Sequence, residues 1–166
     1  MRMRAAALVT GTLLVVSLVA LAPAAGAKSK PKPAKKPPDA CKVLTAEEAG
    51  AFLGTTVTQS GGGASCDYVG NGGVAAVTIT VQTLTPPNVA FTKKQIKTSA
   101  GPGATSPKLG DAASESLVTG GGGAIQVMKG KTLLNLSARK ADPTGNVVPL
   151  DAAAFLALAK TAVGRL

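Results

Sequence analysis

The chain has no histidine and no tryptophan, one tyrosine, three phenylalanines and two cysteines. Without histidine the usual serine and cysteine triads are excluded, because each uses an imidazole to take the nucleophile's proton near neutral pH. Two cysteines with no Cys-x-x-Cys spacing, again without histidine, exclude the common zinc sites and a reactive thiol pair. With Phe52, Tyr68, Phe91 and Phe155 as the whole aromatic complement, there is no stacking platform of the kind single-strand binders use, so no nucleic acid is expected as a partner. No cofactor is expected either. The nearest approach to a phosphate-binding loop, Gly120 to Gly123 and then Gly130-Lys131-Thr132, has Ile125 where such a loop needs its first glycine, and it leads into a strand pattern instead of a helix.

Acids are also scarce, eight in all. Glu47, Glu48 and Asp151 fit helix starts, Asp39 a linker junction, Asp111 a loop, and Asp142 a turn before Pro143. Only Asp67 and Glu115, near predicted hairpin strands, offer a buried carboxylate pair, and nothing in their spacing brings them together. A Ser-Lys dyad has no signature here. Asn135-Leu136-Ser137 matches a glycosylation acceptor but falls inside a predicted strand. No catalytic, cofactor-binding or metal-binding residue is therefore assigned, and the protein is read as not an enzyme.

What the chain does have begins at its start. Arg2 and Arg4 lead into an apolar run from Ala5 to Ala22, which closes with Ala25-Gly26-Ala27, small residues spaced for a signal peptidase. Residues 1–27 read as a signal peptide, with an uncleaved anchor as the alternative, since the run approaches the length of a bilayer span. Residues 28–38, KSKPKPAKKPP, alternate charge with proline and form a basic linker about 34 Å long at full stretch in polyproline II fashion. Residues 39–166 form one domain. The net charge of +10 suggests a polyanion binder until the 18 cations are placed: two lie in the signal and Lys28, Lys30, Lys32, Lys35 and Lys36 in the linker. The 11 that remain face all eight acids, a surplus of three, so the high pI belongs to the tail. That tail is read as a solvated linker, or as an electrostatic tether to anionic polymer or lipid head groups. In an exported chain Cys41 and Cys66 are expected to pair, closing a loop that stabilises the fold by about 3 kcal/mol on the chain-entropy model.

Within the domain, Thr45 as N-cap and Glu48 three residues on form a capping box, Gly54 supplies the stop, and Ala49, Phe52 and Leu53 turn inward. Strand patterns begin near Val57. In residues 76–83, Val77, Ile79 and Val81 alternate with Thr78, Thr80 and Gln82, and the Gly70 to Gly73 turn joins this strand to residues 66–69 as an antiparallel hairpin. A second helix, capped by Asn88, is expected to run to about Ser99 with Lys93, Lys94 and Lys97 outward. Strands follow at 114–119, 124–128 and 132–138, then a core helix from Leu150 or Asp151 towards Arg165. Residues 68–77 and 118–127 share three glycines and a valine at an offset of 50, which raises the idea of two similar helix-plus-strands halves closed by the last helix.

Cys41-Lys42-Val43-Leu44-Thr45, Glu47-Glu48, Leu53-Gly54, Cys66-Asp67-Tyr68 and Leu109-Gly110-Asp111 together give the chain a likeness to a known group. It resembles the small exported domains of unknown function found in actinobacterial envelopes, which open with a cysteine, Leu-Thr, an acidic helix and Leu-Gly. Their second cysteine is followed two residues on by an aromatic, as Tyr68 is here. Members are often lipoproteins, whereas this chain lacks a lipidation cysteine after its apolar run. The resemblance implies a mixed α+β domain with a disulfide and, in some relatives, an extracytoplasmic sensor or binding role, with no catalytic residues to carry over. The fold class expected is α+β: an antiparallel sheet of hairpins packed against about three helices with one disulfide. The expected function is a non-enzymatic binding or interaction domain, secreted or envelope-associated, whose partner is a protein or envelope component; a small secreted hydrolase or inhibitor is the alternative.

Overall fold

A computed structural model of the chain describes residues 36–98 and 104–166. Its elements are α1 (Ala40–Val43), α2 (Ala46–Leu53), β1 (Thr58–Gly62), β2 (Ser65–Gly70), β3 (Ala75–Thr83), α3 (Pro86–Thr98), β4 (Ala112–Val118), β5 (Gly122–Lys129), β6 (Thr132–Ala141), β7 (Val147–Val148) and α4 (Ala152–Gly164), with a 3-10 turn at Asn71–Gly73. This is an α+β domain with one antiparallel sheet and one disulfide, as expected. The strand order is β1-β2-β3-β6-β5-β4, with β7 added to β6.

Two three-stranded meanders meet through their last strands. The β3–β6 seam runs in unbroken register from Ala76 opposite Arg139 to Thr83 opposite Thr132. Each meander is preceded by helix and α4 closes the set, so the two-halves arrangement is present in outline. The particular echo is not its basis, because an offset of 50 lays the β2–β3 hairpin on the β4–β5 hairpin. The counterpart of Cys66 opposite Ile79 is Ile125 opposite Leu136, in the β5–β6 hairpin. Glycine-rich turns coincide in sequence because all need positive φ.

Side-chain alternation gives the sheet two unlike faces. One register row reads Cys66, Ile79, Leu136, Ile125, and a shift of one residue gives Asp67, Thr78, Ser137, Ala124. The apolar face is covered by α1, α2 and α4 and holds the main core, with the rings of Phe52 and Phe155 6.0 Å apart between α2 and α4. The polar face is covered only at one end, where Ile96 of α3 packs on Ala112 and Met128 with Leu133 beside them.

The helix ends follow local chemistry. Thr45 and Glu48 form the capping box, and Gly54 takes the left-handed conformation at φ 73°. The Asp151 carboxylate accepts from the Ala153 and Ala154 amides to start α4. Asn88 does not cap α3, as its position had suggested. The helix begins two residues earlier and the Thr85 carbonyl accepts from the Asn88 and Val89 amides, so Pro86 and Pro87 occupy the first turn, where a missing N–H costs nothing. Asp39 likewise belongs to a helix and not to the linker: its side chain accepts from the Cys41 amide at 3.1 Å and caps α1.

Candidate functional site

Cys41, Leu44, Glu48, Cys66 and Tyr68 converge on one corner, while Leu109-Gly110-Asp111 lies apart, by the β5–β6 turn. Cys66 and Tyr68 are two apart on β2 and so point to the same face, towards the joint between α1 and α2. Cys66 is bonded to Cys41 of α1, with Cα atoms 5.1 Å apart. Tyr68 is fully buried, and its hydroxyl donates to the carbonyl of Leu44, the residue that ends α1. Burial pushes the Tyr68 phenol above its ordinary value. From the other end of the chain, Arg165 donates to the Val43 carbonyl at 3.1 Å and forms a bidentate pair with Glu48 at 2.6 and 2.7 Å. That guanidinium holds the Glu48 carboxyl at about 2, against an ordinary 4.5. Disulfide, phenol and guanidinium thus staple the first helices to the sheet and to the C-terminus. These bonds make the cluster one that holds the fold together.

The carboxylates expected as a possible pair do not meet. Asp67 lies on the polar face, accepting from the Thr78 hydroxyl at 2.7 Å. Glu115 shares the row of Ile125 and Leu136 on the apolar face. Four strand spacings separate β2 from β4, about 19 Å. The alternation of Cys66 and Tyr68 inward already requires Asp67 outward, a parity that spacing along the chain does not reveal for two distant strands. Glu115 is 6% exposed; its Oε2 accepts from the Thr105 hydroxyl at 2.9 Å, and Oε1 has no hydrogen-bond partner among the described residues. Thr105 also exchanges backbone bonds with Glu115 and so covers the outer edge of β4. Asp111 and Asp142 serve turns, through bonds from the Gly130 amide and from the Thr144 and Asn146 amides. Among the described residues no group of three or more acids or cysteines converges as a metal would require.

The surface left available is the uncovered part of the polar sheet face. A shallow hollow of about 420 Å³ lies there, lined by Thr78, Ser116, Ala124, Ser137 and Arg139. Small side chains at Ala76, Ala124 and Gly122 leave the room, and three hydroxyls supply donors and acceptors. Arg139 is held at one end by its Nε and Nη2, which donate to the carbonyls of Val74 and Gly73 at 2.8 and 3.2 Å. The hollow thus sets three hydroxyls among small and apolar residues, Val118 included. A second hollow, about 380 Å³, lies between the end of α3 and the loop before β4, lined by Lys97, Lys108 and Asp111 among others. Sequence reasoning missed both. Its only signal for the first was the run of small polar residues at alternate positions on β3 and β6.

Of the tail lysines, Lys36 is exposed at the start of the described residues, while Lys28, Lys30, Lys32 and Lys35 lie outside them, as do the apolar run and its cleavage site. No helix among the described residues is long and apolar enough to cross a membrane. Comparison with protein-family models, with curated proteins and with solved structures finds no match for this chain.

Proposed function

We propose that the chain is an exported, non-enzymatic binding or interaction domain of the cell envelope or extracellular space, carried on a basic proline-rich stalk. The observation that carries the binding reading is the polar sheet face, which among the described residues is covered at the α3 end and left open over the rest. A domain this small gains stability by covering surface, yet this face, with Thr78, Ser116 and Ser137 set among Ala76, Ala124 and Val118, keeps an open hollow. The disulfide supports an oxidising destination, and the apolar run ending in Ala25-Gly26-Ala27 supplies the route. The likeness to actinobacterial envelope domains points the same way.

Lys28, Lys30, Lys32, Lys35 and Lys36 are the proposed tether to an anionic envelope surface. Exposed charges are screened beyond about 10 Å at 0.1 M salt, so association through them is salt-sensitive. Washing envelope fractions at rising salt tests this. Release at moderate salt, and weaker association when residues 28–36 are deleted, is the expected result; association that neither salt nor the deletion reduces overturns the tether.

A further inference from the structure

The geometry points to α3 as a second, folded membrane contact: a basic helix that sets Phe91 into the boundary of an anionic lipid surface. This rests on the reading of the chain as an envelope-associated domain and names the face it turns to that surface. Phe91 is 62% exposed, whereas Phe155 is fully buried and Phe52 is half-buried against it. Its outward position follows from the helix. Ile96, the buried residue of α3, lies five residues on and therefore about 140° around the axis, while Lys94 about one turn on and Thr98 about two turns on share the outer side with Phe91; Lys97 sits about 120° round at the flank and Lys93 about 160° round towards the packed side.

The charge around that ring has one sign. Lys93, Lys94 and Lys97 are the titrating residues of α3, which contains no acid. Two more exposed lysines flank the helix at its ends. The Lys131 carbonyl accepts from the Leu84 amide at 2.8 Å, which places the β5–β6 turn against the start of α3. Lys108 shares a hollow with Lys97 near its other end, where Asp111 is the acid in the lining. The ion pair described in this chain lies elsewhere, between Glu48 and Arg165, and among the described residues none involves these lysines. The helix that carries this exposed phenyl ring is therefore basic, with Lys94 beside the ring, Lys97 at its flank, and Lys108 and Lys131 near its two ends. A soluble polyanion gives that ring nothing to bury against; a lipid head-group and acyl boundary does.

The chain contains no tryptophan, so Phe91→Trp creates a single local fluorophore in the full-length protein. Its emission is read with vesicles of equal phosphatidylglycerol and phosphatidylcholine, with pure phosphatidylcholine vesicles, and with soluble polyphosphate. The expected result is a blue shift on the anionic vesicles alone, whatever else holds the chain to the membrane. Lys94→Gln with Lys97→Gln in the same background should raise the lipid concentration needed for half the shift about 25-fold, at about fivefold per lysine, with the thermal midpoint unchanged. Emission that stays at its solvent value on anionic vesicles, a shift on neutral vesicles that the lysine changes do not touch, or an equal shift with polyphosphate would overturn the proposal. None of these outcomes bears on export or on the stalk, which the salt wash of envelope fractions tests separately.

Discussion

Glu48→Gln removes a charge from the clamp between the α1–α2 corner and the C-terminus while leaving a side chain that still reaches the Thr45 amide to complete the cap. In the native chain Arg165 holds the Glu48 carboxyl at about 2, where 4.5 is ordinary. A gap of that size is worth about 3.4 kcal/mol if unscreened. The Glu48 and Arg165 side chains are 28% and 39% exposed, however, so water and salt reduce the pair to about 1 kcal/mol. The folded-state value lies below the unfolded one, and the unfolded chain therefore binds more protons between the two. The stabilisation is complete above about pH 5 and is lost as pH falls through 2. Urea unfolding at several pH values between 7 and 2 measures it, with the variant subtracted from the native protein so that the other acids cancel. The difference should be about 1 kcal/mol at pH 7, shrink steadily below pH 5, and become smaller at high salt. A difference that does not change with pH, or is absent at pH 7, would refute the clamp.

Other outcomes follow from the packing. Replacing Cys41 and Cys66 together by alanine opens a loop with a sequence separation of 25, and should cost about 3 kcal/mol and lower the melting midpoint by roughly 10 °C, as calorimetry will show. Tyr68 is the one tyrosine in the chain, so absorbance at alkaline pH reports it alone; with its pKa raised by burial, stability is full below pH 10 and falls above it, and tyrosinate should appear only as the domain unfolds. Tyr68→Phe leaves the Leu44 carbonyl without its buried donor and should cost about 1–2 kcal/mol in urea unfolding. Gly121 has φ 88° and an added Cβ would run into the Val148 carbonyl and the Val147 side chain, so Gly121→Ala should destabilise by about 2–4 kcal/mol. Gly122→Ala, next in the same glycine run, meets only the Ala138 carbonyl at 3.9 Å and should stay within about 1 kcal/mol.

Features governed by near neighbours in the chain were legible in the sequence. The Thr45–Glu48 box, the Gly54 stop, the Asp151 cap and the alternation through Val77, Ile79 and Val81 each follow from chemistry within a few residues. Short elements were not legible: α1 has four residues and β7 two, too few to show a period. The start of α3 was misplaced because two prolines read as a break, although both fit a first turn. Long-range order was hidden for a different reason. The β3–β6 seam pairs residues 49 apart in the chain at Thr83 and Thr132 and 63 apart at Ala76 and Arg139, and only that seam shows that Asp67 and Glu115 face opposite ways. Nor does the position of Arg165 near the chain's end announce its bond to Val43, which depends on α4 ending beside α1. The four glycines at 120–123 likewise look uniform in sequence, yet at Gly123 a Cβ would press on Leu117, Leu150 and Phe155 at 2.8 to 3.2 Å, a close approach between sheet and core.

An intact mass taken without reductant, on protein recovered separately from culture medium and envelope, tests the central claim most directly. The account predicts a chain beginning at Lys28 and two hydrogens lighter than its reduced form, which would combine export, cleavage after Ala27 and the Cys41–Cys66 bond in one observation. A chain that keeps its first 27 residues, or one with two free thiols, would contradict it.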